Sequence, residues 1–244
     1  DAHNAGLFPL DGRSKFLMFM SRLVQGNAFL TIVTNDALKR HVEKNGGFSF
    51  VMPDPIPEFS DFNKISSIGP SFNILFICTF SQDEPYENVF RAAKELSEHY
   101  RIFVTGDYKK KSIDPKIIPA NTILMGYLPE EKYIKLLHSV DITIDLTTRD
   151  NCLVCGAYES IAAEKPMIIS DTPVLRSYFD KGAIYTDNSV TSIKRSIEIA
   201  ESNFNSLKKE ILSLKQEKQR TWINIAEKLS EIITLSVYRH STRS

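Results

Sequence analysis

The sequence predicts an α/β protein built on doubly wound, Rossmann-like parallel sheets, and three observations carry that expectation. Short apolar runs alternate regularly with helical segments from residue 72 to residue 200. Several of these runs, Ile74–Cys78 and Ile142–Leu146 among them, are almost continuously apolar, as parallel strands covered on both faces must be. One stretch, DITIDLTTRDNCLVCGAYESIAAEKPMIISDTPVL from Asp141 to Leu175, spells out strand, polar loop, helix start and parallel strand in succession.

Taken in order, residues 1–52 read as strand end, helix, strand, helix, strand. Arg13 to Val24 is helical, Phe29 to Val33 is a strand, and Thr34-Asn35 offers a cap for a helix from Asp36 to Lys44. Asn45-Gly46-Gly47 ends that helix before a strand from Phe48 to Met52. These pieces make part of a doubly wound domain and are too few to close one, so the chain reads as a fragment or processed product. Four prolines (Pro53, Pro55, Pro57, Pro70) mark residues 53–71 as a linker.

Residues 72–202 form the second domain. Its strands are expected at Ile74–Cys78, Ile102–Val104, Thr122–Met125, Ile142–Leu146, Met167–Ile169 and Ala183–Tyr185. Helices are expected at Tyr86–Ser97, Glu130–His138, Gly156–Glu164, Leu175–Phe179 and Thr191–Glu201. Residues 203–244 form a helical tail, charged at first and then apolar on one face through Ile225, Leu229, Ile232 and Ile233. That second half is expected to return to the first domain.

Composition excludes several function classes. Thirty basic residues balance thirty acidic ones, so no global field recruits nucleic acid. No apolar run approaches the roughly 20 residues needed to span a bilayer, and DAHNAGLFPLDG lacks the regions of a signal peptide. Three cysteines are too few for a disulfide framework and point to a reducing, cytoplasmic setting. Cys152 and Cys155 make a C-x-x-C that reads first as packing, with redox chemistry or half a metal site as the alternatives.

Binding chemistry is expected where the strands end. Thr79-Phe80-Ser81, Thr105-Gly106-Asp107, Gly126-Tyr127, Thr147 to Asn151 and Ser170-Asp171-Thr172 all fall on one rim of a parallel sheet. The helix start at Cys155, Gly156 and Ala157 presents backbone N–H groups suited to a diphosphate, and Gly156 permits close approach. Glu159, one turn further, is either an ordinary N-terminal acid or the acceptor of two hydrogen bonds from a vicinal diol such as ribose.

These residues carry a resemblance. Gly156-Ala157-Tyr158-Glu159-Ser160-Ile161-Ala162-Ala163-Glu164-Lys165-Pro166, followed by a strand and Ser170-Asp171, resembles the donor-site signature of GT-B glycosyltransferases, in particular the family-four-type retaining group with its E-x7-E motif. The resemblance implies a GT-B fold and transfer of a sugar from a nucleotide-diphosphate donor to a hydroxyl of a glycan, lipid or small molecule, without a bound metal or other cofactor. It gives Glu159 the donor ribose. The motif's first Glu falls at position 151, which is Asn151 here.

The basic pair that the family places after the domain's first strand is missing from CTFSQDEPYENVFR. Arg149 is the nearest replacement, unless it forms a loop ion pair with Asp150 or Asp171. Gly126-Tyr127-Leu128 matches the loop that meets the nucleobase; Tyr127 either stacks on a base or covers the following helix. Thr79, Ser81 and Gly106 line the same rim, and His3 in Asp1-Ala2-His3-Asn4 resembles the family's cleft histidine. The helix from Arg13 to Val24, with Arg13, Lys15 and Arg22 beside Phe16, Leu17, Met18, Phe19 and Met20, reads either as a core helix or as a peripheral membrane contact. The alternative to an enzyme is an inactive, donor-binding homologue.

Overall fold

The structure is a computed structural model that describes residues 4–8, 12–59, 68–69, 71–114 and 118–241. The chain divides into two units. One comprises Asp1–Pro55, Asn151–Leu153 and Gln216–Ser244; the other comprises Ile56–Asp150 and Val154–Lys215.

The larger unit holds a six-stranded sheet: β3 (Phe72–Phe76), β4 (Tyr100–Thr105), β5 (Thr122–Gly126), β6 (Ile142–Asp145), β7 (Met167–Ser170) and β8 (Ala183–Thr186). Every neighbouring pair is parallel, in the order β5-β4-β3-β6-β7-β8. Ile74 lies opposite both Ile102 and Ile142, which centres the core on β3. Successive residues of β3 serve opposite faces. Ile74 and Phe76 join Val89, Ile102, Val104, Ile144, Ile168, Ile193 and Ile197 on one side. Leu75 joins Phe103, Leu136, Leu137 and Val140 on the other. Two covered faces are why the strand is apolar at every position.

The connecting helices are α4 (Tyr86–Lys94), α5 (Glu130–Ser139), α6 (Cys155–Ala162), α7 (Pro173–Tyr178) and α8 (Val190–Ser202). Strand order runs outward in both directions from the β3–β6 pair. That pair is the topological switch point, beyond whose carboxyl ends such sheets bind ligands. α7 starts two residues before the expected Leu175 because Thr172 caps it by accepting from the Leu175 N–H and Pro173 fits its first turn. α6 ends at Ala162, followed by Glu164 in the left-handed region at φ 59°. Lys215 bonds the Ala162 carbonyl at 2.8 Å and the Glu164 carboxylate at 2.9 Å, which satisfies that helix terminus.

The smaller unit contains α1 (Asn4–Leu7), α2 (Lys15–Asn27), β1 (Thr31–Val33), α3 (Asp36–Lys44) and β2 (Ser49–Val51). β1 and β2 pair in parallel, Thr31 opposite Ser49. Ser14 and Asn35 cap α2 and α3 through the N–H groups of Leu17 and Leu38. The Ser14 cap moves α2 later than the expected Arg13–Val24. Residues 4–7 are helical where a strand end was expected.

The tail is one continuous helix, α9 (Phe204–Ser241). Its first turns bury Leu207, Ile211 and Leu214 on the larger unit. Later, Trp222 donates its indole N–H to the Pro53 carbonyl at 3.0 Å within the smaller unit. No helix among the described residues is long and apolar enough to cross a membrane.

Candidate functional site

Strand β6 ends in Asp145, a buried acid closing an otherwise apolar run. Its carboxylate lies against the start of α6, where the Gly156 and Ala157 N–H groups bear on it and lower its pKa. Burial, then the charges of Glu84 and Glu159, outweigh them and push the carboxyl well above the usual carboxylate range. A Cβ on Gly156 would stand 2.5 Å from Asp145 Oδ2 and 2.8 Å from Ile77 Cδ1. The close approach that demands glycine here is therefore that of Asp145 and Ile77. This corrects the expectation that Gly156 and Ala157 hold their N–H groups open for an anion: an internal carboxylate already faces both. Thr143 and Ser160 exchange a hydroxyl hydrogen bond of 2.7 Å that ties α6 to β6.

Glu159 is half-buried and accepts a hydrogen bond from the Tyr133 hydroxyl of α5. Burial raises its pKa and the Tyr133 bond opposes that rise. Tyr133 is itself pushed far up, first by burial and then by Glu159, Asp145 and Cys155. The rise at Tyr133 keeps the phenol protonated, so it is the donor and Glu159 the acceptor.

The loop between β3 and α4 is organised around Glu84. Its carboxylate accepts from the N–H groups of Thr79 and Ser81 and from the Thr79 hydroxyl, each at 2.9 Å, and from the Cys78 thiol at 3.2 Å. Burial first, then Glu84, raises the Cys78 pKa far above a thiol's ordinary value. In this stretch, whose sequence carries no basic pair, an acid occupies the N–H groups. Gly106, at φ +95°, packs where a Cβ would meet the Cys78 carbonyl oxygen at 2.3 Å. Its glycine answers to that packing.

Arg149 pairs with Asp83 at 3.5 Å, which corrects the choice between Asp150 and Asp171. Asp171 is engaged by Arg176, Nη2 to Oδ2 at 2.8 Å. Asp83 also accepts from the Thr147 hydroxyl at 2.9 Å, and its carbonyl accepts from the Thr148 N–H at 2.8 Å. The β6 loop is thereby clasped to the β3 loop. Asn188, at φ 67°, extends the clasp: it donates to the Thr147 carbonyl and accepts from Ser170.

In the larger unit the structure therefore brings together Thr79, Ser81, Arg149, Cys155, Gly156, Ala157 and Glu159 around the ends of β3 and β6. Gly126, at φ +71°, ends β5; Tyr127 is 82% exposed, and Leu128 packs on the Leu136–Leu137 face. Of the two readings of Tyr127, cover for the following helix is not what this exposure describes. Asn151 groups with the smaller unit, where its carbonyl accepts from Asn35 Nδ2 at 3.2 Å. His3 lies outside the described residues. Cys155 is exposed and Cys152 partly so, which corrects the packing expectation for this pair. Among the described residues no group of three or more His, Cys, Asp or Glu side chains is arranged to hold a metal ion.

Four residues escaped the sequence reading: Tyr133, Asp145, Asp83 and Glu84. Asp145 had a signal, an acid at the last position of an apolar strand. Tyr133 had none, because its partner is on another helix.

A family model described as "Glycosyl transferases group 1" matches residues 59–229. The chain belongs to that family. It is a glycosyltransferase, and its fold is that of solved GT-B enzymes. HepE of Anabaena, solved in complex with UDP-glucose, superposes with a TM-score of 0.74 at 13% identity over 94% of this chain and 71% of that one. Sucrose-phosphate synthase of Thermosynechococcus elongatus gives 0.73 at 11% identity over 95% and 64%. The pneumococcal O-GlcNAc transferase GtfA, in complex with UDP and GlcNAc, gives 0.64 at 13% identity over 88% and 47%. No curated protein sequence matches the chain.

Proposed function

We propose that this glycosyltransferase moves a sugar from a nucleoside-diphosphate sugar to a hydroxyl acceptor on a glycan, lipid or small molecule. The reaction runs with retention, as in the family-four-type group, and without a bound metal. The observation that carries the reading is Glu159: a half-buried carboxylate, one turn into the helix that starts at the switch point, held as an acceptor by Tyr133. A carboxylate there suits the two hydroxyls of a donor ribose. The dipole of α6 and the exposed Cys155 of its first turn suit the diphosphate, the Gly156 and Ala157 N–H groups being turned to Asp145. Stabilising the departing diphosphate by fixed dipoles is preorganised electrostatic catalysis.

Arg149 adds charge at the same rim while shared with Asp83. Tyr127, on the loop Gly126-Tyr127-Leu128, offers an exposed ring to the base. Thr79, Ser81 and Gly106 border the rim, and Asn151 and His3 keep the roles that the resemblance gives them, toward the sugar hydroxyls and the donor phosphate. We assign the protein to the cytoplasm, peripheral to the membrane through residues 13–24.

Titration of UDP, GDP and ADP into the chain and into Glu159→Ala tests this reading. Losing a charge-assisted contact weakens binding by roughly 1.5–3 kcal/mol, about ten- to a hundredfold. Equal affinity in the variant would remove Glu159 from the site.

A second reading, a donor-binding homologue without turnover, is favoured by one set of observations. Asn151 replaces an acid, Glu84 occupies the β3-loop N–H groups, and Asp83 offsets the charge of Arg149. Release of nucleoside diphosphate from a nucleotide sugar under multiple turnover would exclude it.

A further inference from the structure

We propose that Tyr133 is a positioning residue for the donor carboxylate. By donating its hydroxyl hydrogen bond to Glu159 Oε2 it fixes that side chain and keeps it ionised, an acceptor ready for a ribose diol. This deepens the donor reading and rests on it.

The geometry makes the argument. Tyr133 projects from α5 and Glu159 from α6, and the hydrogen bond joining them is partly buried. A carboxylate has about four acceptor positions, and a single phenol occupies one, leaving the other oxygen whole for ligand. An ionised Glu159 accepts from both hydroxyls of a diol; a protonated one presents a donor to them and loses charge assistance. The site works against ionisation. Burial raises the pKa of Glu159, and the titratable groups that act on it or respond to it are Tyr133 from α5 and Asp145 from β6, while Cys155, four residues earlier on its own helix, acts on Tyr133. Among the causes acting on Glu159 itself, only the Tyr133 hydrogen bond favours the charged form. On α5, Tyr133 shares the face of the buried Leu136 and Leu137, so its ring packs on that core while its hydroxyl reaches Glu159.

Two measurements on the full chain test this, with Tyr133→Phe and Glu159→Gln as variants. The first follows the 13C resonance of the Glu159 side-chain carboxyl in the ligand-free protein, assigned by its loss in Glu159→Gln, from pH 4 to 9. Its titration midpoint is expected to rise by about one unit or more in Tyr133→Phe, the size of a lost charge-assisted bond. An unchanged midpoint overturns the proposal. The second is the pH profile of binding for whichever of UDP, GDP and ADP binds tightest. Tyr133→Phe is expected to match wild type near pH 8.5 and fall about tenfold below it as the pH approaches the raised midpoint. A uniform loss at every pH would make Tyr133 a packing residue only and overturn the proposal. The donor reading fails separately: if Glu159→Gln binds nucleotide as well as wild type, Glu159 does not meet the ligand and both readings fall. If Glu159→Gln binds weakly while Tyr133→Phe follows the wild-type profile, only the Tyr133 role falls.

Discussion

At Asp145 the electrostatics of a single side chain bear on the stability of the unit that contains it. Burial and the neighbouring Glu84 and Glu159 raise its pKa well above the ordinary carboxylate range. The folded state therefore holds this proton to higher pH than the unfolded chain does. Its contribution to stability is complete below the ordinary carboxylate value near 4 and is lost as pH rises through the folded value. Glu159 has the same sign for the same first cause, burial. Asp171, lowered first by its bond to Arg176, and Asp187, lowered first by Ser189, act in the opposite direction at acidic pH. Comparison with Asp145→Asn isolates the buried acid, because asparagine fills the same space without titrating. The melting temperature of the variant, taken relative to wild type, is expected to climb steadily between pH 5 and pH 8. A gap that stays constant across that range would mean Asp145 is ionised throughout. Glycine at 156 follows from the same carboxylate, which stands where an alanine methyl would go.

Among the elements, the strands of the larger unit were legible because each is covered on both faces, so apolarity marks nearly every position. Helix starts were legible where a side chain caps them, as Asn35 does for α3, and misplaced where the cap went unrecognised, as at Ser14 and Thr172. What the sequence could not show is which rim residues engage one another. Arg149 pairs with Asp83 on another loop, and Glu159 with Tyr133 on another helix. No local spacing encodes either pair. The docking of α9 was equally hidden. Gly182, at φ +66°, sits where a Cβ would lie 2.9 Å from the Ile211 Cα, and its N–H donates to Glu210 at 3.1 Å. Gly182→Ala combines left-handed strain with a collision against backbone and is expected to cost about 2 kcal/mol or more in urea unfolding. Gly126→Ala is the control: it carries the same kind of strain at φ +71° with only Tyr108 at 3.9 Å. It is expected to lose only about 1–2 kcal/mol. Equal losses would mean that α9 yields easily at Ile211.

For the whole molecule, balanced charge removes long-range attraction to an anionic surface, so any membrane contact must come from one local patch. α2 provides the candidate. Phe16 is 70% exposed, Phe19 57% and Val24 65%, with Arg13, Lys15 and Arg22 also exposed on or just before the same helix. Both readings of this segment in the sequence, core helix and membrane contact, rested on its wide apolar spread. In this chain α2 buries Gln25 and leaves those rings exposed, so the membrane reading is the one that an experiment on the chain addresses directly. Three cations near an anionic bilayer contribute about 1 kcal/mol each, too little alone for firm binding, so inserted aromatic rings must supply the rest. Vesicles of phosphatidylcholine with phosphatidylglycerol are therefore expected to co-sediment the chain at 50 mM salt and to hold less of it at 500 mM, where the Debye length falls to a few ångströms. Replacing Phe16 and Phe19 by serine is expected to abolish co-sedimentation while shifting unfolding by no more than about 0.5 kcal/mol, as for other exposed side chains. A large loss of stability in that variant would show the two rings buried in solution and return α2 to the core.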